Sequence, residues 1–258
     1  MSQDSSSGSF ELTGRVALVT GAGRGLGRTI ALGLARAGAD VAAAARSLPE
    51  VKTLADEIAR MGRRASAHEV DVRHVRSIRS SVDAILAEHG RIDILVNSAG
   101  AKVVAPVTDV TEEDWDLVIN TNLRGAFFMA QAVGTHMLAR GSGKIINVAS
   151  TYAVVGAPGR AAYAASKGGL LQLTRVMAAE WAGRGVNVNA IGPTSVSTPM
   201  NEALFADPGW KEQALAKIPA GRFASADDVV GSVIFLASSA SDMVHGQILL
   251  IDGGLTAV

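Results

Sequence analysis

The sequence predicts an α/β fold: one domain built on a doubly wound sheet of seven parallel strands with helices on both faces. Three observations carry that expectation. Short apolar runs alternate with helical periodicity from Arg15 to the end of the chain. The first run passes directly into a glycine-rich turn and then a helix, the opening of a βαβ unit. No repeat or linker interrupts the 258 residues, a length that one large domain can bury.

Val16-Ala17-Leu18-Val19-Thr20 is apolar along its whole length, as a strand buried on both faces must be. A helical pattern follows from Gly25 to Ala37, and a second strand from Val41 to Ala45. Helix 50–61 leads to strand 65–69, and helix 74–89 to strand 92–96, which ends at Asn97. Thr111 followed by three acids reads as a capped helix start, with the helix continuing past Ala130. Strand 144–148 delivers Ser150; helix 161–183 and strand 186–191 come next. A Gly192-Pro193 break opens a long irregular segment to about Pro219, and the stretch 194–219 is expected to be a substrate lid. Helix 226–237 and strand 247–251 close the chain. In such a sheet ligands bind beyond the carboxyl ends of the strands, so Thr20, Ala45, Asp71, Asn97, Ser150 and Gly192 are expected around one crevice.

Composition excludes several classes. Lys+Arg and Asp+Glu both number 24, and a balanced charge argues against nucleic acid or an anionic membrane as the main partner. No cysteine is present, which removes disulfides, thiolate catalysis and cysteine-type zinc sites. The five histidines (68, 74, 89, 136 and 245) show no metal-ligand spacing and are read as surface or structural, so no metal is expected. The polar opening, residues 1–10, reads as a disordered tail without the apolar core of a signal peptide. No apolar run is long enough to span a bilayer, and the expected compartment is the cytoplasm.

Two stretches carry chemistry. The turn Thr20-Gly21-Ala22-Gly23-Arg24-Gly25-Leu26-Gly27 lets backbone N–H groups approach a diphosphate at a helix N-terminus. An NAD site usually has a carboxylate at the end of the second strand to hold the ribose 2′-hydroxyl. Here that end reads Ala44-Ala45-Arg46-Ser47, so Arg46, with Arg24 from the turn, is expected to pair with a 2′-phosphate. NADP(H) is therefore the expected cofactor, with NAD(H) second. In the other stretch, Ser150 precedes Tyr163 and Lys167, whose four-residue spacing puts both on one helix face. A phenol titrates near pH 10, and a nearby ammonium is expected to lower that value and make Tyr163 a general acid/base.

With these motifs assembled, the chain resembles the short-chain dehydrogenase/reductase family over everything after the tail. The family's T-G-x-x-x-G-x-G turn matches Thr20, Gly21, Gly25 and Gly27. Its N-N-A-G element appears as Asn97-Ser98-Ala99-Gly100, and its N-L-x-G as Asn122-Leu123-Arg124-Gly125. The resemblance implies a Rossmann-type fold and an oxidoreductase acting on CH–OH donors with NAD(P)+ as acceptor. It implies that Ser150 polarises the substrate oxygen, Tyr163 exchanges the proton, Lys167 anchors the nicotinamide ribose and Asn122 holds a relay water. Asp71 and Val72 would contact adenine, Val196 the carboxamide and Thr198 the diphosphate. Threonine at 194, where the family usually has glycine, departs from the pattern.

The closing stretch, from Ile218 to Gly254, is similar to members that handle sugar acids, the gluconate 5-dehydrogenases and 2-deoxygluconate 3-dehydrogenases. It is also similar to 3-oxoacyl-carrier-protein reductases. A keto-sugar acid or polyol is thus the first expected substrate and a β-ketoacyl thioester the second; a dinucleotide sensor without turnover is the remote alternative. A homotetramer is expected from the family's usual assembly. Leu204, Phe205 and Trp210 either line the substrate pocket or pack on the core. Lys102 and Arg160 lie near the predicted mouth, each read as a solvated charge before a contact to an acidic substrate.

Overall fold

The computed structural model describes residues 10–197 and 205–257. The expected tail, apart from Phe10, lies outside the described residues, as do Thr198 and Leu204. The strands are β1 Val16–Thr20, β2 Asp40–Ala45, β3 Ala65–Glu69, β4 Ile94–Asn97, β5 Gly143–Val148, β6 Val186–Pro193 and β7 Ile248–Ile251. The helices are α1 Gly25–Arg36, α2 Leu48–Arg60, α3 Val75–His89, α4 Glu112–Ile119, α5 Gly125–Arg140, α6 Ala161–Trp181, α7 Pro208–Leu215 and α8 Ala226–Ala237.

All seven strands form one parallel sheet in the order β3-β2-β1-β4-β5-β6-β7. The order reverses between β1 and β4, and that switch point is where a crevice opens above the strand ends. Because side chains alternate across a strand, the sheet supplies two cores. Ala17, Val19, Val41, Ala43, Ile94, Val96 and Ile146 pack on one face with Ile30, Leu54 and Val233 from α1, α2 and α8. Leu18, Ala42, Leu95, Ile145 and Val188 pack on the other with Ile78, Met129 and Met177 from α3, α5 and α6. Burial on both sides explains why the strands read as continuous apolar runs.

Two elements differ from the sequence expectation. The helix opened by Thr111, whose side chain accepts from the Asp114 N–H, is interrupted by a π turn at Asn120–Arg124 before continuing as α5. The segment expected to be irregular to Pro219 contains α7, with Asp207 as its cap: the carboxylate accepts from Gly209 N at 2.9 Å and Trp210 N at 3.2 Å, and Pro208 occupies the first turn. The Asp-Pro pair was the available signal. Near the edge strand, His68, Glu88 and His89 come within 4.8 Å of one another, and the Ser66 hydroxyl lies 2.7 Å from both imidazoles. Sequence spacing hid this grouping because its members come from β3 and the end of α3. Among the described residues, no helix is long and apolar enough to cross a membrane.

Candidate active site

A cavity of about 630 Å³ lies over the switch point. The β1–α1 turn forms one wall. Gly21 and Gly25 have φ of 67° and 57°, which favours glycine. A Cβ on Gly27 would lie 2.4 Å from the Gly21 carbonyl oxygen, and one on Gly21 would lie 2.8 Å from the Ala99 backbone. The turn is therefore pressed against the end of β4 with no room for a side chain. Thr20 fastens the same junction: its hydroxyl accepts from Ser98 N at 3.1 Å and Ala99 N at 3.3 Å.

Most of the residues singled out by sequence meet here. Gly21, Arg24, Gly25, Leu26 and Gly27 line the cavity with Arg46, Ser47, Asp71 and Val72; Ala99, Gly100 and Val196 continue the wall. Arg24 and Arg46 are exposed and in no ion pair with a described residue. Glu50, from the first turn of α2, lines the same end, a carboxylate that the reading of β2 alone did not place there. Arg73 grips the Asp71 carboxylate at 2.6 Å, and that hydrogen bonding holds its pKa down at about 2. The Thr194 N–H bonds the Ile251 carbonyl at 3.1 Å, so the residue that departs from the family pattern extends the β6 edge while lining the cavity.

Ser150, Tyr163 and Lys167 line the opposite part of the cavity. Ser150 leaves the end of β5 and caps a 3₁₀ turn, its hydroxyl accepting from Tyr152 N at 3.2 Å. Lys167 is 5% exposed; its ammonium donates to the Val148 carbonyl at 2.7 Å and lies 5.6 Å from the Tyr163 ring centre. Burial pulls the lysine pKa down to about 8. The Tyr163 phenol departs from expectation: burial raises its pKa, against the opposing pull of a hydrogen bond with Ser150 and of the Arg160 charge. The expected lowering by Lys167 is absent, because desolvating a phenolate costs more than these neighbours return.

Asn97 and Asn122 do not line the cavity; they brace it from behind. The Asn97 amide donates to Asn147 Oδ1 at 2.9 Å, and Asn147 donates to Thr174 on α6. Asn122 is 1% exposed. Its Oδ1 accepts from Ala101 N at 2.7 Å, and its Nδ2 donates to the Ala101 carbonyl at 2.9 Å and the Ser166 hydroxyl at 3.0 Å. The side chain is thus saturated and joins the loop after β4 to the Tyr163 helix. The π turn, closed by Gly125 N–H to the Asn120 carbonyl, supplies the local register for it.

At the substrate end the structure corrects two readings. Phe205, Trp210 and Phe223 pack on one another, with Trp210 and Phe223 stacked at 5.9 Å and Phe205 4.8 Å from Phe223, and none of the three lines the cavity. Arg160, read as solvated, is buried, and Lys102 is half-buried in the cavity wall with its pKa pushed down to about 8 by burial and by Arg160.

The family profile described as Enoyl-(Acyl carrier protein) reductase matches residues 21–256. A gluconate 5-dehydrogenase of Gluconobacter oxydans is 40% identical over 96% of both chains. The chain belongs to the short-chain dehydrogenase/reductase family. A D-threitol dehydrogenase of Mycolicibacterium smegmatis is 45% identical over 96% of this chain and 95% of its own. Among solved structures, a gluconate 5-dehydrogenase from Burkholderia cenocepacia in complex with NADP and tartrate superposes with a TM-score of 0.95 at 43% identity, covering 97% of this chain and 98% of that one. Like these relatives, this short-chain dehydrogenase/reductase is an oxidoreductase.

Proposed function

We propose that the protein interconverts a carbonyl and a secondary alcohol of a keto-sugar acid or polyol, with NADP(H) as hydride carrier and Tyr163 as general acid/base. The observation that carries this reading is the placing of Ser150, Tyr163 and Lys167 on one cavity with the glycine turn of β1 and α1. The turn fits a dinucleotide, because its close packing leaves backbone N–H groups as the only surface presented at the start of α1. Arg24 and Arg46 suit a 2′-phosphate, and the NADP in the Burkholderia structure supports the same choice. Bound NADPH supplies a hydride to the carbonyl carbon. Ser150 orients the carbonyl oxygen, and the raised pKa of Tyr163 keeps the phenol protonated and ready to donate to that oxygen as the C–H bond forms. Lys167, positioned by the Val148 carbonyl, orients the ribose. With the Asn122 side chain saturated, a relay water behind the lysine would fall to its backbone carbonyl.

The names of the gluconate and threitol dehydrogenases place sugar acids and polyols first among substrates. A homotetramer fits the apolar residues left exposed on α6 and β7, Val176 and Leu249. The stretch 194–219 is proposed as the lid of a single domain spanning 11–258.

The test is NADPH oxidation against a panel holding 5-keto-D-gluconate, neutral ketoses and β-ketoacyl thioesters. Turnover of a keto sugar or keto acid is expected, and Tyr163→Phe should lower kcat by about 10³-fold, within the range general acid catalysis supplies, with NADPH affinity unchanged. Turnover of the thioesters alone would replace the substrate reading. Silence across the panel with NADPH still bound would favour a sensor.

A further inference from the structure

We propose that Arg160, with Lys102 beside it, forms an anion-binding subsite that holds a substrate carboxylate at the mouth of the cavity. This deepens the proposed function and rests on it, since it selects acids over polyols as the substrate class.

Arg160 directly precedes α6, three residues before Tyr163. It is 8% exposed. Its guanidinium lies 6.0 Å from the centre of the Tyr152 ring, which in turn lies 6.2 Å from the Tyr163 ring. Among the described residues no carboxylate pairs with that guanidinium, and it donates no hydrogen bond to any of them. The other buried charges of this fold are matched: Asp93, for example, is held by Arg91 and Arg140. A buried cation without a counter-charge is costly, and such groups persist where a ligand supplies the missing charge. An arginine also presents its donors as a planar fork that fits a carboxylate.

The surroundings have the same sign. Lys102 lines the cavity wall close enough to Arg160 for the two charges to interact, and Lys167 lies beyond Tyr163. Two carboxylates, Glu50 and Asp71, appear among the described residues lining the cavity. Both come from the β2–α2 and β3–α3 connections on the Arg46 side, and Asp71 is already paired with Arg73. The wall near Tyr163 therefore offers positive charge alone. A neutral polyol would leave it uncompensated, whereas a sugar acid would compensate it with its carboxylate while its keto group faces Tyr163.

The experiment compares 5-keto-D-gluconate with the neutral ketose L-sorbose, using NADPH and wild type, Arg160→Gln and Arg160→Lys. Loss of a charge-assisted hydrogen bond is worth roughly 10- to 100-fold, so Arg160→Gln should raise KM for the keto acid by about that factor. Its KM for L-sorbose should stay within about twofold, and Arg160→Lys should restore part of the loss. An unchanged NADPH affinity shows that the fold survives. Equal losses for both substrates would mean that Arg160 merely supports Tyr152, and no loss would mean that it faces no anion; either overturns the subsite. Should wild type reduce neither compound, the substrate reading fails separately. Calorimetric binding of D-gluconate to the NADP+-loaded protein then decides the subsite: binding lost in Arg160→Gln supports it, and absent or unaffected binding refutes it.

Discussion

The glycine turn between β1 and α1 and the aromatic corner of Phe205, Trp210 and Phe223 differ in what fixes them. In the turn, a single added methyl on Gly27 would meet a carbonyl oxygen at 2.4 Å, and Thr20 pins the neighbouring strand end through two N–H groups. In the corner, three rings meet at centroid distances of 4.8 to 5.9 Å, and other large apolar side chains would fill the same volume. The turn is held by steric exclusion and the corner by bulk. Exclusion specifies residue identity; bulk specifies only hydrophobicity.

Mutations that probe this contrast should differ in size. The largest effect is expected from Gly27→Ala. The added carbon forces the turn from Ala99, costing about 1–3 kcal/mol as overpacking does, and NADPH affinity measured by fluorescence titration should fall by an order of magnitude or more. Unchanged affinity would show that the turn yields, and the contrast would fail. An intermediate effect is expected from Asn122→Ala, which leaves the Ala101 amide groups and Ser166 without their partner. Each unsatisfied buried group costs about 1–3 kcal/mol, so denaturant unfolding should show a loss of that order, accompanied by lower kcat. Full stability would mean that water replaces the amide. The smallest effect is expected from Trp210→Leu, at about 1 kcal/mol, the scale of an aromatic pair, with NADPH affinity unmoved. A cofactor defect in that variant would show that the corner and the turn are coupled.

The same contrast explains what could be read from sequence. The strands, the helix start at Thr111, the glycine turn and the Ser150, Tyr163 and Lys167 positions depend on residue types that few others can replace, so they stand out in the chain. The direction of the Tyr163 pKa was misread because spacing shows that a lysine is near, not how far both groups are removed from water. The burial of Arg160 was misread for a related reason: a charged residue before a helix looks solvated until the Tyr152 ring and the loop holding Lys102 are folded beside it. Glu50 escaped notice because it enters the cavity from α2, five residues past the strand end where an acid was sought.

The π turn at Asn120–Arg124 has a bearing on chain length as well as on geometry. Five residues to a closed turn is one more than an α-helix needs, so the stretch from Thr111 to Arg140 carries a built-in phase step. Deleting one residue there would relax the turn to α-helix and rotate everything after it by about 100° with a shift of about 1.5 Å. Met129, Val133 and Met137, now fully buried against the sheet, would swing away from it as a group. Substitutions in this stretch therefore act one side chain at a time, whereas a change of length acts on the whole of α5 at once.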